Sequence, residues 1–171
     1  DPETFDVLAS SRATTSDVMV QCYDGLYEYN MENEQVPALA ESVSVSEDGK
    51  TYTFKIRKGA TWVDSQGSKV ADVTAHDFVT GLQHAADFES GTAWLLDGVV
   101  KNFFEYESGL VDFSEVGVKA LDDYTLEYTL EAPCSYFTTM FGYSIFAPLS
   151  REYYVSQGGT FGEEYDASAA T

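Results

Sequence analysis

Two stretches of strict alternation, each folding back at an acidic turn, constrain this chain more than any other feature. In the first, Val43 and Val45 alternate with serines, Glu47-Asp48-Gly49-Lys50 turns the chain, and Tyr52, Phe54 and Ile56 alternate with Thr51, Thr53, Lys55 and Arg57. Asp-Gly between two period-two runs predicts a β-hairpin, because glycine enters positive φ without a Cβ clash. The second hairpin runs through Val116, Val118 and Ala120, turns at Asp122-Asp123, and returns through Tyr124, Leu126, Tyr128 and Leu130. Every one of these strands has one apolar face, so both hairpins require a covering layer.

Helical segments can supply that layer. Thr74-Ala75-His76-Asp77 reads as a capping box, with Asp77 placed to reach back to the start of the helix. Phe78, Val79, Leu82, Ala85 and Ala86 then recur at helical spacing. An earlier helix is expected to open at Thr15 or Ser16, carry Val18, Met19 and Cys22, and stop near Gly25. Another is expected after Pro133, using Tyr136, Phe137, Met140 and Phe141, and a short one after Ser150. Residues 90–109 mix Trp94, Leu95, Leu96, Phe103, Phe104 and Tyr106 with acids and predict broken helix. Antiparallel hairpins beside separate helices make the fold class α+β, not a doubly wound parallel sheet.

Charge and length narrow the functions available. The chain has 171 residues, with 9 basic against 29 acidic side chains and a net charge of −20. Such a surface repels nucleic acid and anionic membrane, which both demand clustered cations. Disorder is opposed by 44% hydrophobic and 15% aromatic content. Residues 132–150 carry no charge, but Pro133, Gly142 and Pro148 interrupt them, so a buried helix with an extended exit is expected there, not a membrane span. Asp1-Pro2-Glu3 has neither a basic start nor an apolar run, which suits a processed or trimmed chain. Cys22 and Cys134 read as two separate buried thiols in preference to a bridge.

No catalytic constellation stands out. Carboxylate pairs are unavoidable at this acidity, and Asp122-Asp123 reads as a solvated turn. His76 and His84 lie eight apart on one helix, about 12 Å at 1.5 Å per residue, too far to share a metal ion. Both are expected to face solvent or to cap. Gly158-Gly159-Thr160-Phe161-Gly162 lacks a preceding strand and is given no phosphate role. No cofactor and no metal are expected.

A series of ordered phrases is more informative. Tyr23-Asp24-Gly25-Leu26-Tyr27-Glu28 precedes Pro37-Ala38-Leu39-Ala40-Glu41-Ser42, the stretch from Ser46 to Gly59, and Trp62. Val73-Thr74-Ala75-His76-Asp77-Phe78-Val79 follows, then Gly117-Val118-Lys119-Ala120-Leu121-Asp122-Asp123-Tyr124-Thr125-Leu126. Glu131-Ala132-Pro133, Tyr136-Phe137 and Phe146-Ala147-Pro148-Leu149-Ser150 close the series. In order and spacing this resembles the extracytoplasmic solute-binding proteins of peptide ABC importers, the oligopeptide-binding type of family 5 in particular.

The resemblance implies an N-terminal piece of a larger two-lobed protein with the periplasmic-binding-protein-like II fold. Residues 1–26 would start lobe I, residues 27–149 would form a small α+β subdomain beside it, and residues 150–171 would begin the return to lobe I. The usual leading strand, the lipid-anchor cysteine and the second lobe would lie outside this sequence. The implied activity is binding of oligopeptides for delivery to a membrane-embedded ABC permease, without catalysis, by a monomer held as a cell-surface lipoprotein or free in the periplasm. Members that bind dipeptides, nickel, haem or oligosaccharides are the alternative, and a glycan-acting enzyme subunit is a more distant one.

Two places are implied as ligand contacts. The loop of Ser10 to Thr14, and Ser11, Arg12 and Ala13 above all, resembles the edge to which a bound peptide adds like a β-strand, with main-chain hydrogen bonds supplying affinity. Taken by itself this is a helix-entry loop. Its spacing from the family's usual Asp-Pro phrase departs from the pattern: Asp1-Pro2 comes early, and Asp6 would be the equivalent acid instead. Trp94 falls near a position where an aromatic faces the cleft, although its surroundings suggest a core or subdomain-packing ring.

Overall fold

The computed structural model describes residues 5–10, 12–156 and 158. In chain order the main elements are α1 (Ala13–Met19), β1 (Tyr27–Tyr29), β2 (Gln35–Pro37), β3 (Ala40–Val45), β4 (Thr51–Ile56), β5 (Thr61–Val63) and β6 (Lys69–Asp72). They continue with α2 (Ala75–Asp87), α3 (Phe103–Glu107), β7 (Val118–Asp122), β8 (Thr125–Thr129) and α4 (Arg151–Ser156). Helices and antiparallel strands are segregated, as α+β requires.

The two expected hairpins form and join into one sheet of order β3-β4-β8-β7. Gly49 takes φ +69° at the first turn, as its Asp-Gly signal requires. Cross-strand partners such as Phe54 and Leu126 put the apolar side chains of β4 and β8 on one face. That face is buried twice over, by α2 lying across β7 and β8 and by an aromatic cluster from residues 137–146. Phe54, Tyr128, Phe137, Phe141 and Phe146 meet at ring-centroid separations from 4.4 to 6.2 Å, mostly edge to face. Full burial of each such ring contributes about 2–3 kcal/mol, and favourable ring geometry adds about 0.5–1.5 kcal/mol per pair.

Gly117 closes the sheet against the chain that follows α2. Its N–H donates to the Lys101 carbonyl at 2.8 Å, and its own carbonyl accepts from Thr129 N–H at 2.8 Å. A Cβ at this position would collide with the Thr129 carbonyl oxygen, so the close approach requires glycine.

Several expectations need correction. Val43 and Val45 share the core face with Phe54 and Tyr52, yet they are 36% and 49% exposed. Their strand is the sheet edge, and the covering layer does not extend over it. Helix α1 starts at Ala13, with Arg12 as its N-cap and no side-chain cap bond, instead of opening at Thr15 or Ser16. It stops at Met19, so Cys22 lies past the helix and is exposed, contrary to the expected burial. Cys134 is buried, and both thiols are free. The buried helix expected after Pro133 is 3-10 and comes in two pieces, Phe137–Gly142 and Ser144–Phe146, with the chain leaving it extended at Ala147. No helix among the described residues is long and apolar enough to cross a membrane. Residues 90–109 are broken helix as expected, with a 3-10 turn at Ala93–Leu95 ahead of α3.

Candidate functional site

The segment leading into α1 is built around one carboxylate. Asp6 is buried, and its Oδ1 accepts from the backbone N–H groups of Leu8 (3.1 Å) and Ala9 (3.2 Å). Its Oδ2 lies 2.7 Å from His84 Nε2 on α2, with the His84 side chain fully buried. His84, expected to face solvent or cap, is therefore an interior partner. Its ring is enclosed by Phe88 at 4.4 Å and by Tyr154 of α4 at 5.5 Å, centroid to centroid. His76 meets the other half of that expectation: it stays partly exposed, 3.5 Å from Asp123 at the tip of the second hairpin.

From Asp6 the chain turns tightly into the helix. Ser10 N–H donates to the Asp6 carbonyl, the Ser10 hydroxyl donates to Thr15 Oγ1 at 3.3 Å, and Arg12 N–H donates to Ser10 Oγ at 3.1 Å. Arg12 is extended, with φ −83° and ψ 124°, and its carbonyl accepts from Thr15 and Ser16. Both backbone polar groups of Arg12 thus serve the segment itself. Ala13, at the first helical position, has an N–H without an intrahelical acceptor. Ser11 lies outside the described residues.

Trp94 sits on the 3-10 turn Ala93–Leu95 and is 68% exposed, so it is not a core ring. The turn follows the C-terminal end of α2 through Ser90, whose N–H donates to the Ala85 carbonyl. The Asp6 segment reaches the same end of α2 through His84. The ground beyond Trp94 is acidic. Burial, with Glu105 nearby, raises the carboxyl pKa of Asp97, and burial with Asp97 and Glu89 nearby raises that of Glu107. Burial, and then a hydrogen bond to Asp87, pushes the Tyr106 phenol up to about 12.

The other end of α2 carries a second buried carboxylate. Asp77 Oδ2 accepts from Thr74 N–H at 2.8 Å, completing the reach-back of the capping box, and from Trp62 Nε1 at 3.0 Å. Asp77 Oδ1 accepts from Arg151 N–H at 2.8 Å at the start of α4. One carboxylate therefore caps two helices and holds the β5–β6 hairpin. Asp77, Gly81 and His84 lie along one stripe of α2, and Gly81 lets the backbone at Ala147 pack against it. The spacing of seven between Asp77 and His84 was the available signal for this stripe. Beside the exit of α1, Gln21, Cys22, Tyr23, Gly59, Trp62 and Pro148 line a cavity of about 520 Å³. Among the described residues no group of three His, Cys, Asp or Glu side chains could hold a metal ion. The glycine-rich stretch at 158–162 lies, apart from Gly158, outside the described residues.

Residues 34–170 match the family described as bacterial extracellular solute-binding proteins, family 5 Middle. The chain is 47% identical over 170 residues to the oligopeptide-binding protein AmiA of Streptococcus pneumoniae, an alignment covering 99% of this chain and 26% of that protein. Among solved structures, it resembles the substrate-binding domain of an oligopeptide ABC transporter from Bacillus anthracis, with TM-score 0.81, 36% identity, and coverage of 94% of this chain and 30% of that one. It also resembles Listeria monocytogenes OppA bound to peptide, with TM-score 0.80, 31% identity, and coverage of 91% and 30%. The chain spans about a quarter of the length of the curated relatives it matches.

Proposed function

Because the chain belongs to family 5 of the bacterial extracellular solute-binding proteins, we propose that the whole protein captures oligopeptides outside the cytoplasm. It hands them to a membrane-embedded ABC import permease and performs no catalysis. It acts as a monomer, either lipid-anchored at the cell surface or free in the periplasm. In this reading residues 1–26 begin lobe I, residues 27–149 are the subdomain beside it, and residues from 150 onward return to lobe I. The bond of Asp6 to His84, whose ring also meets Tyr154 of α4, supports that division, since it brings the first and last described segments together on α2.

The observation that carries the reading is the backbone at the entrance to α1. Arg12 spends both its main-chain groups internally, and in this reading an extended peptide pairs with the loop of Ser10 to Thr14 through main-chain hydrogen bonds. Main-chain pairing of this kind is indifferent to the ligand's side chains. The exposed Trp94 ring offers a flat apolar or cation–π contact at the same end of α2. The net charge of −20 adds long-range attraction for cationic peptides, an effect that salt weakens.

Calorimetric titration of the full-length protein with peptides of matched length and varied charge tests this reading. Binding is expected across many sequences, with faster association for cationic peptides at low salt. Equal association rates would remove the steering component. Native mass spectrometry showing only a metal, haem, an oligosaccharide or a dipeptide in the purified protein would replace oligopeptide as the ligand.

A further inference from the structure

Two stretches of the chain contain no cation, and the fold sets them side by side. No Lys, Arg or His stands between Arg12 and Lys50, and residues 132–150 carry no charge of either sign. The β1–β2 hairpin of the first stretch packs on the 3-10 helix Phe137–Gly142 of the second. Gln35 Nε2 donates to the Thr138 carbonyl at 3.0 Å, and the Tyr29 ring lies so close over Gly142 that a Cβ there would collide with it. A 3-10 helix repeats every three residues, so Tyr136, Thr139 and Gly142 share one edge about 12 Å long. Phe137, Met140 and Phe141 take the buried side, which turns that edge outward. Tyr29, Tyr136 and Tyr143 are each more than half exposed, and Met31 at the hairpin tip is 98% exposed.

We infer that this tyrosine and methionine patch is a docking surface for the extracytoplasmic face of the ABC permease, where it meets an apolar centre ringed by basic side chains. This rests on the proposed role in peptide import, which supplies the permease as the protein partner. Three exposed aromatic rings and a methionine, with no charge among them, have the composition of an interface centre. A merely solvated surface on so acidic a chain would carry carboxylates there. The rim supplies the sign of the partner: Glu28, Glu32 and Glu34 are exposed on the same hairpin, in a stretch that holds no cation to neutralise them. A second copy would set two such acidic rims against each other, so charge opposes self-association and favours a basic-rimmed partner. Met31, unbranched and polarizable, suits a contact that forms and releases repeatedly.

The test uses the full-length protein and its permease in lipid nanodiscs, with docking of the peptide-loaded protein followed by biolayer interferometry. Met31→Ala combined with Tyr136→Ala is expected to weaken docking about ten-fold, mostly through faster release. Glu32→Lys combined with Glu34→Lys is expected to slow association about three-fold at low salt, with the difference closing at high salt. Leu121→Ala, which removes an exposed apolar side chain on β7, should dock like the unaltered protein. Calorimetric affinity for peptide should stay within about two-fold in every variant, which separates docking from ligand capture. Hydroxyl-radical footprinting of the free full-length protein should label Met31 and Tyr136. The inference is overturned if the Met31 and Tyr136 double variant docks normally, or if Leu121→Ala weakens docking as much. It is equally overturned if Met31 and Tyr136 are protected in the free protein, covered by its own chain or by a second copy. An unaltered protein that binds no oligopeptide, or that binds one and never docks, overturns the functional reading first, and this inference with it.

Discussion

Helices α1 and α2 stand at opposite extremes of how a helix can be held. Helix α2 buries nine of its thirteen residues, with Phe78, Leu82 and Ala85 toward the sheet and Asp77, Gly81 and His84 toward the chain termini. Helix α1 buries one of its seven, and leaves Val18 exposed with Val20 just beyond it. One is fastened by packing, the other by a carboxylate, a histidine and two hydroxyls. Packing resists displacement in every direction, whereas a few directional bonds fix a path and leave the outer surface free. That division suits the proposed roles of the two regions, a rigid platform and an edge open to a ligand.

The comparison can be broken most severely at the platform. Phe54→Ala removes a fully buried ring that contacts Tyr27, Tyr128 and Phe141, and should lower stability by about 3–5 kcal/mol in urea unfolding. A loss below 1 kcal/mol would mean that the aromatic cluster is not the core. Asp77→Ala comes next. It strands the N–H groups of Thr74, Arg151 and Trp62 Nε1, at a cost of about 2–4 kcal/mol. Exchange of the α4 amides should rise in that variant, and unchanged protection would show that Asp77 does not hold α4.

Smaller effects sharpen the contrast. Burial keeps the Asp97 pKa above the usual 3.8 in the folded state. The unfolded chain therefore releases this proton first as pH rises, and stability falls between 3.8 and the raised value. Asp97→Asn should raise Tm slightly at neutral pH, with the gain vanishing below the ordinary aspartate range. A gain that persisted in strong acid would point to another cause. Val18→Ser on α1 should stay within about 0.5 kcal/mol of the unaltered protein, and a larger loss would mean that α1 is packed after all.

Legibility followed the range of the interactions. The hairpins around Asp48-Gly49 and Asp122-Asp123, helix α2 and its capping Asp77 were readable because turn chemistry and periodicity are local. Strands β1, β2 and β5 were not, since three residues are too few to display alternation. The α1 boundary shifted because the Thr15 hydroxyl accepts from Ser10 instead of capping the helix. Val43 and Val45 carried the right pattern but lie on a sheet edge, which alternation cannot reveal. His84 looked like a surface residue because its partner lies 78 positions away. Of the proposed site, the loop of Ser10 to Thr14 and Trp94 were suggested by ordered phrases across the chain. The pair that holds the loop needed three dimensions.

The most direct measurement is hydrogen exchange of the full-length protein with and without a bound oligopeptide. The account predicts new protection at Ser11 and Ala13, with the β3-β4-β8-β7 sheet and α2 unchanged between the two states. Peptide-dependent protection confined to the polar face of that sheet, or none at the α1 entrance, would contradict it.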